Sequence, residues 1–423
     1  MEQLDNNQKE RTQADYLNMT HSVALNHLRT ELKKSKHKSR VNKITDYLIN
    51  RIWAWLYYYI DSRFGRNYPY QTYQGGETGI YQLGDGPATI ALTADWATNT
   101  PESVQVAACM GDNNPDYTIH LGDTYYVGAP PEILQNFVTP GSPWVRGSKG
   151  SFALLGNHEM YARGVAFFKD LLPSLGIRNA AGVCDGQKAG FFCLENKYWR
   201  ILGLDTGYHS IGKVPVLELL PWFAPDCHFD KMLVTWLKEI VKLDDKNDKR
   251  GLLILTHHQY ITAFKSEGEY PVPAKQLAEL IGTERPVLWL WGHEHKFSVF
   301  EKAQVAGGIT AYGRCIGHGG MPVELQSDEF MLNPKTSGYS KLVMVDERER
   351  VNLPGCRLGF NGYVMLNVDD DKLEIAYHDV NGKILAENWV ADITAGTIQG
   401  TITGSSFPGL QPVPGKLWHH AVK

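Results

Sequence analysis

Short apolar runs that end in aspartate, asparagine or histidine constrain the fold of this chain more than any other feature. The runs are ATIALTADWA (88–97), DYTIHLGDTYY (116–126), SFALLGNHE (151–159), WRILGLDTG (199–207), GLLILTHHQ (251–259) and PVLWLWGHEH (286–295). Apolar runs of this length between polar turns are typical of strands buried on both faces. Stretches with helical spacing of apolar residues lie between some of them, over 232–241 and 274–281. This alternation of strands and helices predicts an α/β layered domain.

Potential metal ligands follow the predicted strands in one order along the chain. Sites in α/β sheets form at the carboxyl ends of strands, so side chains that follow different strands are expected to meet there. The candidate donors are Asp95, Asp123, Tyr126, Asn157, His158, His257, His258, His293 and His295. A single fragment such as Gly122–Asp123 has low specificity because it occurs often by chance. The complete ordered set predicts a metal centre.

Charge excludes some classes of partner and leaves others open. The chain has 42 Lys and Arg against 46 Asp and Glu, a formal net charge of −4, so a general polyanion binder is excluded and nucleic acid is not expected as a partner. Residues 1–66 nevertheless carry 12 Lys and Arg against 7 Asp and Glu. A basic stretch over 29–43 precedes an amphipathic, aromatic stretch over 44–60 that is too short and too interrupted to span a bilayer comfortably. It predicts either a helix packed on the body of the protein or a peripheral membrane or protein contact through residues 29–60.

The compartment is predicted from the N-terminus and the cysteines. The first ten residues are polar and include acids, so they do not resemble a secretory leader. The six cysteines form no CxxC pair and no metal-finger spacing, and free buried thiols are expected rather than disulfides. A cytoplasmic location is the resulting expectation.

The ordered blocks DW (95–96), GDxxY (122–126), GNHE (156–159), THH (256–258) and GHEH (292–295) resemble those of the calcineurin-like metallophosphoesterases. The resemblance covers roughly residues 88–390. It implies an α/β fold with a two-sheet β-sandwich core flanked by helices, a four-layer architecture that holds two metal ions between the sheets. Many members carry Asp-x-His in the first block, whereas this chain has Ala97 at the histidine position. A tyrosine three residues after Asp123 makes the ligand set similar to the purple acid phosphatase branch, in which such a tyrosine replaces the missing histidine.

The resemblance implies a ligand set for each of the two metals. The first metal would have Asp95, Asp123, Tyr126 and His295 as ligands. The second would have Asp123, Asn157, His257 and His293, with the Asp123 carboxylate bridging. The neighbouring Tyr125 is expected to point to the opposite face if the strand continues. Carboxylate and phenolate oxygens are hard donors, so Fe(III) is expected beside Tyr126, and the second set suits Zn, Mn or Fe(II).

Catalytic roles follow for residues beside these ligands. By resemblance, His158 contacts the phosphate and helps to protonate the leaving group. Only one of two consecutive side chains on an extended segment can face the metals, so His258 is assigned to the substrate or to an orienting role. Substrate phosphate contacts are predicted for Arg163, Arg314 and His318. The predicted nucleophile is a metal-activated hydroxide.

The predicted function is hydrolysis of a phosphate ester of a small substrate at a binuclear metal centre, with phosphomonoesters slightly preferred. One alternative is a phosphodiesterase or nuclease of the same superfamily. An alternative from another class is an interaction protein that docks to a membrane or partner and keeps a residual metal site.

The chain is predicted to have three parts. Residues 1–70 are expected to form a basic, helical N-terminal extension, residues 71–395 the catalytic domain and residues 396–423 a C-terminal tail. Within the catalytic domain, residues 362–390 predict a three-stranded meander with turns at 369–371 and 381–382.

Overall fold

The computed structural model describes residues 65–84, 86–211, 227–265, 268–353, 356–408 and 410. The helices predicted for the N-terminal extension, including the possible contact segment 29–60, lie outside these residues. Within the described part of the chain, no helix has the length and apolar character needed to cross a membrane. Among the described cysteines, Cys193, Cys227 and Cys315 are buried free thiols, as expected, whereas Cys109 and Cys184 are free thiols that are only partly buried.

The strands, in chain order, are β1 (Ile80–Gln82), β2 (Ala88–Thr93), β3 (Tyr117–His120), β4 (Gly150–Ala153), β5 (Gly176–Ile177), β6 (Phe192–Glu195), β7 (Trp199–Gly203), β8 (Gly251–Thr256), β9 (Val287–Trp291), β10 (Phe297–Gln304), β11 (Thr310–Ile316), β12 (Leu342–Val345), β13 (Val351–Leu353), β14 (Cys356–Leu358), β15 (Gly362–Asp369), β16 (Lys372–Asp379), β17 (Gly382–Asp392) and β18 (Thr397–Ser405). One eight-stranded sheet has the order β1-β6-β7-β8-β9-β11-β10-β12, and a second has the order β18-β17-β16-β15-β2-β3-β4-β5. Strands β13 and β14 pair as a separate two-stranded sheet.

The α-helices are α1 (Pro101–Asp112), α2 (Pro130–Ile133), α3 (Asn157–Met160), α4 (Lys231–Glu239) and α5 (Pro271–Ile281). Short π-helical segments span Leu134–Val138 and Phe167–Leu171, and 3-10 turns span Leu172–Ser174, Asp328–Phe330 and Tyr339–Lys341. The starts of two helices follow from their caps. The side chain of Thr100 accepts a hydrogen bond from the Ser103 N–H at the start of α1, and Asp230 accepts one from the Met232 N–H at the start of α4.

The two sheets pack face to face around the central core. Leu92 of β2 and Ile119 of β3 belong to the same buried cluster as Leu255 of β8 and Leu290 of β9. Helices α4 and α5 cover the outer face of the first sheet, where Trp236 packs with Phe191. Helix α1 covers the outer face of the second sheet. This succession of helix, sheet, sheet and helix confirms the predicted fold class.

The strands that carry the predicted ligands are parallel neighbours within each sheet. Strand β2 pairs with β3 and β3 with β4, whereas β7 pairs with β8 and β8 with β9, all in parallel. Parallel neighbours end at the same edge of their sheet, so the loops after these strands come together.

The meander predicted over 362–390 is present as the antiparallel strands β15, β16 and β17. The prediction of a tail from residue 396 was wrong for residues 397–405, because these form β18 and pair with β17. Ile398 and Ile402 of this strand are buried in the central core. Burial of these two apolar side chains stabilises the added strand.

Candidate metal centre

Each predicted ligand lies in the segment that follows a strand or at the first turn of the helix after it. Asp95 follows β2, Asp123 follows β3, and His257 follows β8 directly. Asp95, Asp123 and His293 have backbone φ angles of 54°, 70° and 66°. Residues other than glycine adopt this left-handed region at a cost, and such conformations cluster at functional sites.

The Asp123 carboxylate lies at the middle of the cluster. Its Oδ2 atom lies 3.3 Å from His257 Nε2, 3.7 Å from His158 Nε2 and 3.2 Å from the Tyr125 hydroxyl. Its Oδ1 atom accepts a hydrogen bond from the backbone N–H of His158 at 2.9 Å. Burial alone would raise the pKa of Asp123, but His257 and His158 hold that pKa well below its usual value. The group is therefore an anionic donor that faces both halves of the site.

Asp95 is a second buried carboxylate beside it. Its Oδ2 accepts from the backbone N–H of His293 at 2.8 Å, and its Oδ1 lies 3.6 Å from His295 Nε2. Burial raises the pKa of Asp95, His257 opposes that change, and the neighbouring Asp123 adds to it. Ligand atoms of Asp95, Asp123 and His257 all lie within 4.8 Å of one another. Two adjacent buried carboxylates repel, so this arrangement is suited to a cation that both can contact.

Three histidines complete the other half of the cluster. Ligand atoms of His257, His258 and His293 also lie within 4.8 Å of one another. The Nδ1 atom of His257 lies 3.0 Å from the Leu121 carbonyl oxygen, which can only accept, so Nδ1 carries a proton and Nε2 faces the site. That Nε2 lies 3.1 Å from Asn157 Oδ1. Burial lowers the pKa of His257, but the charges of Asp123, Asp95 and Glu159 together outweigh burial and raise that pKa to about 9.

His258 is held differently from its neighbour. Its Nδ1 atom and its backbone N–H each lie 3.0 Å from the Thr206 hydroxyl oxygen. Burial, with the nearby His293 and His257, holds the pKa of His258 well below its usual value. The ring is therefore neutral and fixed in orientation.

The phenol of Tyr125 enters the cluster. Its hydroxyl donates to Asp95 Oδ1 at 2.8 Å and lies 3.0 Å from His295 Nε2. The prediction that Tyr125 faces away was wrong. It assumed that β3 continues, but β3 ends at His120 and the alternation of side chains ends with it.

Tyr126 holds a different set of contacts. Its backbone N–H donates to Glu132 Oε1 at 2.5 Å, and its carbonyl oxygen accepts from His158 Nδ1 at 2.5 Å. Metal ligation by the Tyr126 phenol stays a prediction, and Tyr125 is a second candidate for the same role.

The donor set fits metal ions, since carboxylates, imidazoles and an amide oxygen converge in a largely buried site. Residues 88–297 match the family model described as calcineurin-like phosphoesterase. These residues form a domain of the calcineurin-like phosphoesterase family. The matched residues include every predicted metal ligand, and the domain is that of a metal-dependent phosphoesterase.

Several solved structures are similar to this phosphoesterase domain at low identity. GAP50, the anchor in the inner membrane complex of Plasmodium, is 11% identical with a TM-score of 0.44, over 70% of this chain and 85% of that chain. PhoD is 12% identical with a TM-score of 0.46, over 76% of this chain and 72% of that chain. Purple acid phosphatase PPD1 from yellow lupin (Lupinus luteus) seeds is 12% identical with a TM-score of 0.37, over 71% of this chain and 53% of that chain. Among curated proteins, none matches this chain.

Two of the predicted substrate contacts of the phosphoesterase lie in its core instead. The Arg314 guanidinium is 0% exposed and pairs with Glu387 through two bonds of 2.8 Å, so it is committed to an ion pair between the sheets. His318 is 1% exposed and stacks on Phe297 at 5.6 Å. Burial lowers the pKa of His318 to about 4. Both assignments to substrate phosphate are therefore corrected.

Arg163 lies in the segment that follows α3. Its backbone φ is 61°, and its Nη1 donates to the Arg66 carbonyl at 3.0 Å. This bond holds the described start of the chain against the segment that follows α3. A contact between Arg163 and substrate phosphate stays a prediction.

Carboxylates that the sequence did not assign support the ligands. Glu159 Oε2 accepts from the backbone N–H groups of Asp123 at 3.1 Å and Gly156 at 2.8 Å. Burial, with Asp123, raises the pKa of Glu159 to about 7. Glu329 Oε1 lies 3.5 Å from His295 Nδ1. Glu159 lies within the GNHE block, so the sequence could have identified it, whereas no motif contains Glu329.

Proposed function

We propose that this domain hydrolyses a phosphate ester of a small substrate at a two-metal centre, with phosphomonoesters preferred over diesters. The position of the Asp123 carboxylate is the observation that supports this proposal. It lies between a group formed by Asp95, Tyr125 and His295 and a group formed by Asn157 and His257. A carboxylate with donors on both sides is placed to bridge two ions.

The two groups of donors suit different ions. The Asp95 side offers hard oxygen donors and one imidazole, which favours Fe(III), with a tyrosine as an additional anionic ligand. The side of Asn157, His257 and His293 suits Zn, Mn or Fe(II). When bound, such a pair neutralises phosphoryl oxygens and lowers the pKa of a bound water from 15.7 to about 7.

His158 is the proposed general acid. Its side chain is 23% exposed, whereas that of Asp123 is 2% exposed, so the imidazole forms part of the open side of the site. Its Nδ1 is held by the Tyr126 carbonyl and its Nε2 lies 3.7 Å from Asp123 Oδ2. This orientation presents Nε2 to a leaving-group oxygen beside the shared carboxylate. His258, which Thr206 fixes in place, is the second proposed contact to substrate.

The test combines metal analysis with turnover. Elemental analysis of the purified protein is expected to find two metals per chain, with the second lost and hydrolysis abolished in Asp123→Asn. Hydrolysis of para-nitrophenyl phosphate is expected to exceed that of bis(para-nitrophenyl) phosphate. Two metals with no hydrolysis of either compound would contradict the proposal, and faster diester hydrolysis would overturn the substrate preference.

A visible spectrum identifies the tyrosine ligand. A tyrosinate–iron(III) absorption band that disappears in Tyr125→Phe and persists in Tyr126→Phe would assign the phenolate to Tyr125. The opposite pattern would assign it to Tyr126, as the block spacing predicts. Each variant serves as the control of the other, because the two residues are adjacent and the change is the same. The absence of any band in the iron-loaded parent would rule out a tyrosine ligand.

A further inference from the structure

The carboxylate of Glu132 holds the loop that follows the GDxxY block. Its Oε1 accepts from the Tyr126 N–H at 2.5 Å, and its Oε2 accepts from the N–H groups of Val127 at 3.1 Å and Ala129 at 3.0 Å. Hydrogen bonds from a carboxylate to backbone N–H groups are stronger than neutral ones. Three bonds of this kind, from residues 126, 127 and 129, fix the path of the loop.

The local sequence places Glu132 for this task. It is the third residue of α2, and Pro130 and Pro131 occupy the first turn before it. Proline lacks a backbone N–H, so the first turn has few donors of its own for a carboxylate to bind. The side chain turns back to the preceding loop, and its own backbone carbonyl accepts from Asn136 Nδ2 at 2.9 Å.

One peptide group of this loop joins Glu132 to His158. The peptide between residues 126 and 127 donates its N–H to Glu132 Oε2, and its carbonyl oxygen is the acceptor for His158 Nδ1 at 2.5 Å. Because a carbonyl oxygen only accepts, Nδ1 carries the proton and Nε2 is the atom left for chemistry. Hydrogen bonds in such a chain polarise one another, so a negative charge at one end strengthens the bond at the other.

We infer that Glu132 is a positioning residue for the hydrolytic reaction and that it acts on His158 through the 126–127 peptide. The carboxylate, the peptide and the imidazole form one hydrogen-bonded chain, which fixes the ring and directs Nε2 towards the leaving group. This inference rests on the proposed role of His158 as general acid. The expected effect of Glu132 is on proton donation alone, because a residue that contacted metal or substrate would instead change metal content or KM.

The test compares leaving groups in Glu132→Gln. A glutamine offers one acceptor oxygen to three N–H donors, so at least one of the three hydrogen bonds to the loop is lost without a large change in side-chain volume. General acid assistance, worth about 10²–10⁴-fold, matters most for poor leaving groups. The variant is expected to lose about tenfold in kcat on an alkyl phosphate and less than about threefold on para-nitrophenyl phosphate, with KM and metal content unchanged. Equal losses on the two substrates would overturn the inference.

A double-mutant cycle with His158→Ala separates the inference from the proposed function. If Glu132 acts through His158, the loss caused by Glu132→Gln on the alkyl phosphate disappears in the His158→Ala background. A loss of the same size in both backgrounds would show that Glu132 acts elsewhere. If His158→Ala itself leaves turnover of the alkyl phosphate unchanged, the assignment of the general acid fails, and the inference about Glu132 fails with it.

Asp392→Asn is the matched control. Asp392 also accepts hydrogen bonds from backbone N–H groups, those of Thr394 at 2.8 Å and Ala395 at 2.9 Å, in the turn between β17 and β18. The change from carboxylate to amide in such a turn is expected to leave the ratio of the two turnover rates at the parent value. A shift of that ratio in the control equal to the shift in Glu132→Gln would overturn the inference.

Discussion

Replacement of His120 by phenylalanine is expected to stabilise this phosphoesterase and to remove part of its sensitivity to acid. His120 is 0% exposed, and its ring centroid lies 6.2 Å from that of Trp96, 5.1 Å from Phe137 and 5.6 Å from Trp144. Neither imidazole nitrogen has a hydrogen-bond partner among the described residues. An unpaired buried polar group costs about 1–3 kcal/mol, and a phenyl ring of similar size does not carry that cost.

The effect of acid follows from the same burial. Burial, with the nearby His257, lowers the pKa of His120 from 6.5 to about 3. Below pH 6.5 the unfolded chain therefore binds a proton at this residue and the folded chain does not, so the free energy of unfolding falls as the pH falls. Between pH 6.5 and about pH 5 this loss is about 2 kcal/mol, since each pH unit contributes about 1.4 kcal/mol.

Urea unfolding at about pH 7.5 and about pH 5 measures both effects. Between the higher and the lower pH, the free energy of unfolding is expected to fall by about 2 kcal/mol more in the parent than in His120→Phe. The contributions of other titrating groups cancel in this difference. His120→Gln is the control, because glutamine cannot titrate but keeps a polar group among the surrounding aromatic rings. His120→Gln is expected to lose this pH dependence without becoming more stable than the parent at the higher pH. Equal losses in the parent and in His120→Phe would refute the reasoning.

Two further changes test the core and the centre. Arg314→Met is expected to lower the free energy of unfolding by about 3–5 kcal/mol, because it leaves the Glu387 carboxylate buried without its cation. Urea unfolding of this variant and of the double variant with Glu387→Gln checks the cause, and the double variant should recover part of the loss. Gly156→Ala is expected to reduce metal content and turnover, since a Cβ atom there would lie 2.1 Å from Asp123 Oδ1. Elemental analysis of a folded variant with full metal content would contradict this expectation.

The grouping of the ligands was predictable from the sequence because it depends on strand ends alone. Asp95, Asp123 and His257 each follow a buried run, and parallel strands bring their ends to one edge. This conclusion does not depend on how many residues separate the strands along the chain. The fold class followed from the same pattern and from the resemblance of the ordered blocks.

The orientation of individual side chains was less predictable. Tyr125 is five residues beyond the end of β3, where the alternation rule no longer applies. The partner of Arg314 is 73 residues further along the chain, and nothing near Arg314 in the sequence indicates it. An arginine followed by glycines looks the same whether it binds phosphate or a buried glutamate. The partner of such a side chain depends on the packing between the two sheets, which the spacing of apolar residues does not predict.

Glycines within the motifs show how a physical account of the packing adds to pattern recognition. A Cβ atom at Gly156 would lie 2.1 Å from Asp123 Oδ1, and one at Gly292 would lie 2.6 Å from Asp95 Oδ2. Each glycine therefore leaves the space that the carboxylate of another block occupies. The G of GNHE is required by the Asp of GDxxY, and the G of GHEH by the Asp of DW. The spacing within one block cannot explain its own glycine, because the constraint comes from a different strand end that packs against it. The blocks form one interlocking set, and this is why their combination is specific although each fragment is weak.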